Sequence, residues 1–215
     1  LLFPALAGSL ADRYSKRSIA IMTKFWEVGV MTVGLFAFQI GHPGFILFML
    51  FLMFTQSTFF SPAKYGILPE MLPESRLSWA NGLLGMATFV AIIAGQSASG
   101  LLSEKVRQEA MSMTTVSLIL IVLSCLGACA SFAIPRTAPA APGRPIAFIP
   151  WSGLGKHFAV YRKSQVLWLS LLGIAFFWMA GAIVQLNVVT HGLAALQVGE
   201  FRSTLLLVAL LLGIA

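Results

Sequence analysis

Lys24 and Glu27 stand three residues apart, a spacing that puts an ammonium and a carboxylate on one helix face where they can pair. Both fall inside an apolar run, and an ionisable group placed in a bilayer is costly enough to mark a functional position. Facing a cavity, such a pair offers a cation to a phosphate and an anion to an amine; near the mouth of a span it serves equally as a structural pair. Lys64 and Tyr65, set between Pro62 and Gly66, are a second candidate. Breaks at Pro62 and Gly66 would leave them at a helix end, where an ammonium and a phenol could meet a phosphate headgroup or simply snorkel to the interface. Gln96, Gln185 and Asn187 are neutral polar groups in apolar runs, suited to interhelical hydrogen bonds or to substrate contact. A fourth group is Gly8, Asp12, Arg13, Lys16 and Arg17. Gly8 would let helices approach closely, Asp12 could accept hydrogen bonds at a helix N-terminus, and the basic residues could pair with it or with lipid phosphate. Together they could latch two helices.

Other chemistries lack their residues. Five positions after His42, His157 and His191 stand Leu47, Arg162 and Leu196, not the Asp of an acyltransferase arrangement. There is no phosphate-binding Gly-rich loop ending in Lys-Ser or Lys-Thr. Cys125 and Cys129 share one helix face without a His or acidic neighbour, which points to packing and not to a metal site. No enzyme activity, metal or cofactor is expected of these residues.

The elements that must carry these groups are set by hydropathy. The 215 residues are 58% hydrophobic and 10% charged, with mean hydropathy +0.89, whereas a soluble domain carries about 25% charged residues. Roughly 20 consecutive apolar residues cross a bilayer as a helix. Cutting at Pro, Gly and charge clusters predicts a truncated helix to about Gly8, whole spans near 18–40, 44–62, 79–102, 113–134 and 166–189, and a partial helix from about 203. Lipid-facing barrel strands would alternate apolar and polar residues, and these runs do not. The chain starts at Leu1 and stops at Ala215 inside apolar stretches, with no signal-peptide pattern, so a fragment is expected.

A net charge of +7 raises nucleic acid as a partner, but the basic residues are scattered among loops and form no stripe. Counted by alternate loops, ten lie on one side and three on the other, with Lys24 inside a span. The richer side is expected to be cytoplasmic, with the Asp12 loop and the 135–165 segment on it. Pro135, Pro139, Pro142, Pro145 and Pro150 keep that segment extended. It reads as a linker, with an interfacial amphipathic stretch over Trp151 to Lys163. The expected division is 1–134 as part of one bundle, 135–165 as linker, and 166–215 as the start of a second bundle. Small residues from Gly82 to Gly100 mark the fifth-helix region for close packing.

The stretch from Gly8 to Arg17 resembles the cytoplasmic signature of the major facilitator superfamily: Gly, three residues, Asp, a basic residue, any residue, Gly, then two basic residues. Gly8, Asp12, Arg13, Lys16 and Arg17 match, and Ser15 replaces the second Gly. In that family the signature joins the second and third transmembrane helices and helps hold the outward-open state. Phe60 to Glu70, followed by Ala80-Asn81-Gly82-Leu83, is similar to the end of the fourth helix and the start of the fifth in the lysophospholipid transporter (LplT-like) branch. Phe177 to Asn187 is similar to the seventh helix of relatives fused to an acyltransferase and an acyl-acyl carrier protein ligase.

The resemblance covers nearly the whole chain. It implies an all-α polytopic membrane bundle of the major facilitator fold, spanning about helices 2 to 8, in a bacterial inner membrane. It implies a secondary transporter moving lysophospholipid by alternating access, with membrane lipids and substrate as partners. A fused or associated acyltransferase is a further implied partner. A small-solute or drug exporter, or the membrane domain of a fused lipid-remodelling enzyme, are the alternatives. Lys24, Glu27, Lys64, Tyr65, Gln185 and Asn187 are the expected substrate contacts, the last two because they recur near a helix lining the family's cavity.

Overall fold

The computed structural model describes residues 3–143, 154–198, 202–203 and 205–209. Among them the chain is helical with no strand: α1 (Pro4–Arg13), α2 (Lys16–Ile40), α3 (Pro43–Gly66), α4 (Leu68–Met71), α5 (Glu74–Arg107), α6 (Met113–Ser131), α7 (Leu154–Lys163) and α8 (Gln165–Ala194). Among the described residues five helices are long and apolar enough to cross a membrane, Lys16–Ile40, Pro43–Met71, Glu74–Arg107, Met113–Ser131 and Gln165–Gly192. These correspond to the five spans expected from hydropathy.

Local chemistry sets the boundaries. Pro4 and Pro43 sit in the first turns of α1 and α3, where a missing N–H costs nothing. Gly41 ends α2 in the left-handed region at φ +66°, its N–H donating to Ala37 O at 3.0 Å, a conformation costly for any residue with a Cβ. The Ser112 and Ser164 hydroxyls cap α6 and α8 by accepting from Thr115 N (3.1 Å) and Leu167 N (3.4 Å).

Three boundaries differ from expectation. α1 continues past Gly8 to Arg13, because nothing after Gly8 breaks it. α3 runs through Pro62 and ends at Gly66, so Pro62 forgoes one hydrogen bond inside the helix without stopping it. α5 extends at both ends beyond its apolar stretch, from Glu74 to Arg107.

The chain forms two compact units, 1–82 with 112–152, and 83–111 with 153–215; the division falls within α5. In the first unit α2 packs against α3 and α6, and α1 against α3. Its core is built from small side chains, Ala11, Ala20 and Ala63 with Ile19, ringed by Leu10, Phe60 and Ile134. Small residues let helix backbones approach, which is how helices associate where the surroundings are as apolar as the contact. In the second unit α7 packs on α8, with the Phe158 and Trp168 rings 5.4 Å apart at 71°. α8 exposes Leu169, Phe176, Trp178 and Leu186, a surface suited to lipid. Of the interfacial stretch, Leu154–Lys163 is helix α7; Trp151 lies outside the described residues, as does the chain after 209.

Candidate functional site

Three helices of the first unit meet around Lys24. Its Nζ donates to Glu27 Oε2 at 2.8 Å, so the spacing of three residues does form the expected ion pair. Gln56 of α3, buried at 4% exposure, donates to the same Oε2 at 3.3 Å and to Thr23 O at 3.0 Å. It therefore holds the carboxylate and ties α3 to α2 at once. Lys24 Nζ also lies 4.9 Å from the centroid of Phe60, within cation–π range. On the α6 side it abuts Gly127, where an added Cβ would come 3.7 Å from Nζ. The hydropathy pattern missed Gln56 and Gly127; a lone amide within the α3 apolar run was the available signal.

Two of the latch residues, Lys16 and Arg17, reach partners on other segments. Lys16, almost wholly buried, pairs with Glu70, and its stem lies against Gly66, where an added Cβ would stand 2.7 Å from Lys16 Cε. Arg17 Nε donates to Ile134 O at 2.6 Å and Nη2 to Phe132 O at 3.2 Å, placing a cation just past the C-terminal end of α6, where the helix dipole favours it. Arg13 stacks on Tyr14, 5.9 Å from its centroid. Asp12 is in the last turn of α1, not at a helix N-terminus, and its carbonyl accepts from Ala141 N at 2.8 Å. At Gly8 an added Cβ would meet nothing within 4 Å, so the close approach expected there is not made among the described residues. Ser15, in place of a glycine, has φ −57° and needs no left-handed backbone.

Lys64 and Tyr65 occupy the last turn of α3, as the helix end expected from Gly66 requires. Lys64 Nζ is 5.2 Å from the Tyr65 centroid, within cation–π range. A largely apolar cleft of about 270 Å³ is lined among others by Leu10, Tyr14, Met22, Trp26 and Phe59; Lys24, Glu27 and Lys64 do not line it.

In the second unit Gln185 and Asn187 part company. Gln185 lines an open cavity of about 540 Å³ with Gln96 and Thr190. Asn187 does not line it; its Nδ2 donates to Ile183 O of its own helix at 2.8 Å. Cys125 and Cys129 are free thiols exposed on α6, not packed inside the unit as expected. Among the described residues no three His, Cys, Asp or Glu side chains gather as a metal ion would need.

The sequence profile described as "Major Facilitator Superfamily" matches residues 1–215. Among curated proteins, the chain is 29% identical over 191 residues to "Lysophospholipid transporter LplT" of Pectobacterium carotovorum subsp. carotovorum (strain PC1), covering 86% of this chain and 43% of that protein. It is 26% identical over 216 residues to the protein of that name from Serratia proteamaculans (strain 568), covering 98% and 50%. It is 30% identical over 188 residues to that of Escherichia coli O1:K1 / APEC, covering 86% and 44%. The chain spans about half the length of the curated relatives it matches. No solved structure gives a significant match.

Proposed function

The chain belongs to the major facilitator superfamily, and from that premise we propose that it is part of a secondary transporter moving lysophospholipid across a bacterial inner membrane by alternating access. The observation that carries this reading is the Lys24–Glu27 pair, buttressed by Gln56, within a membrane-spanning helix; Lys64 stands in the last turn of α3. A phosphate has two ammonium groups to bind, and an amine has the Glu27 carboxylate. The named relatives are lysophospholipid transporters, which supports the same cargo. Tyr65 would flank the headgroup at the mouth. Gln185 and Asn187 would be further substrate contacts, Gln185 from the cavity it lines. Residues 1–134 would then belong to the first bundle, 135–165 to a cytoplasmic linker and 166–215 to the second bundle. Asp12, Arg13, Lys16 and Arg17 would latch the cytoplasmic ends.

Lys64→Ala and Glu27→Gln in the full-length protein are the test. Each is expected to lower uptake of labelled lysophosphatidylethanolamine at least about tenfold at normal expression, the loss of one charge-assisted contact. Normal uptake in both would remove these residues from the site. Competition by lysophospholipids and not by cationic drugs separates this cargo from a drug exporter.

A further inference from the structure

We infer that Gln56 is a positioning residue that sets a preference for amine-bearing headgroups: by holding one oxygen of the Glu27 carboxylate, it leaves the other for the amine. The inference rests on the proposal that Glu27 receives the amine of a lysophospholipid.

Among the described residues, both donors that reach Glu27 converge on the same oxygen, Lys24 Nζ on Oε2 at 2.8 Å and Gln56 Nε2 on Oε2 at 3.3 Å. Oε1 takes no hydrogen bond from them. The Glu27 side chain keeps 20% exposure, whereas Gln56 keeps 4%. An ionised carboxylate offers acceptor sites on both oxygens. An ammonium can therefore bind Oε1 while Oε2 retains its donors.

The two donors on Oε2 differ in what holds them. Lys24 is a point charge on a flexible stem, and the proposed function gives it, with Lys64, to the phosphate. Gln56 carries no charge, so a phosphate does not draw it away. Its amide nitrogen has two N–H groups, and it donates to Thr23 O at 3.0 Å as well as to Glu27 Oε2. Thr23 is fully buried and stands four residues, one turn, before Glu27 on α2. The amide thus bridges two points of one helix face and cannot turn without giving up a bond. That geometry fixes the Glu27 side chain whether or not Lys24 stays on it, and a carboxylate already ordered loses less freedom when it binds an ammonium. A glycerol headgroup has no ammonium and gains nothing from this ordering.

The experiment uses the full-length transporter in liposomes and measures the apparent KM for labelled lysophosphatidylethanolamine and lysophosphatidylglycerol. Gln56→Met keeps the length and volume of the side chain and removes both donors. It should raise the KM for the ethanolamine lipid about tenfold more than that for the glycerol lipid, the effect of one charge-assisted contact. Added to Glu27→Gln, it should change the KM for the ethanolamine lipid by less than about twofold, because the anion it positions is gone. A rise for both lipids alike, an unchanged KM, or effects that multiply in the double variant would make Gln56 only a tie between α2 and α3 and overturn the inference. Equal KM values for the two lipids in the unsubstituted protein also overturn it. Gln56→Leu, which lacks the donors too, gives the same readings where Gln56→Met fails to fold. Normal uptake in Glu27→Gln removes the site on which the inference rests. A loss in Glu27→Gln with unchanged kinetics in Gln56→Met overturns this inference alone, so the two failures are distinguishable.

Discussion

At the scale of single residues, two pairs of charges organise the first unit, and they differ in what surrounds them. Lys24 and Glu27 are neighbours on one helix, whereas Lys16 and Glu70 come from separate segments, 54 positions apart, and meet because Gly66 leaves room for the lysine stem. Removing Glu70 leaves the buried Lys16 ammonium, and removing Lys16 the largely covered Glu70 carboxylate, without its counter-charge. Lys16→Ala and Glu70→Ala should each lower stability by about 2 kcal/mol, and the double substitution should cost little more than one of them. Thermal unfolding in detergent of the four forms checks this; additive losses would mean that the contact contributes nothing. Gly66→Val should reproduce part of the loss by pushing the Lys16 stem aside. Lys24 was legible from the sequence because helical spacing alone brings it to Glu27. The Lys16–Glu70 pair was not, since no local periodicity links those positions.

Among elements, the junction of α1 and α2 is the one most changed by seeing it folded. Asp12 and Arg13 extend α1 and are not loop residues, leaving a short link through Tyr14 and Ser15. Through Arg17 the start of α2 grips the chain leaving α6, and through Asp12 O the end of α1 holds Ala141 of the proline-rich segment. Arg17→Lys keeps the charge but loses the planar fork that reaches two carbonyls. Amide hydrogen exchange over residues 132–141 should therefore quicken in Arg17→Lys and more so in Arg17→Ala, with α3 unchanged. Equal exchange in all three forms would show that the segment is held by other contacts.

For the whole molecule, the charge asymmetry of the loops makes a prediction about sidedness. Ten basic residues against three predicts Thr137 in the cytoplasm and Gln108 outside. Single cysteines at these positions, in a protein with Cys125 and Cys129 replaced, should react with a membrane-impermeant maleimide from opposite sides of intact cells. Labelling from one side would break the five-span count.

Hydrophobic periodicity and loop charge, which are local properties, were enough to determine the helical class, the five spans and the pairing of Lys24 with Glu27. The signature residues pointed to the superfamily for the same reason, being contiguous in the chain. Tertiary structure decided which partners they take: Glu70 for Lys16, the C-terminal end of α6 for Arg17, and Gln56 for Glu27. It also separated Gln185 from Asn187, because positions two apart on a helix point in different directions. Such contacts depend on which helix faces pack together, and packing brings together residues that no spacing along the chain connects.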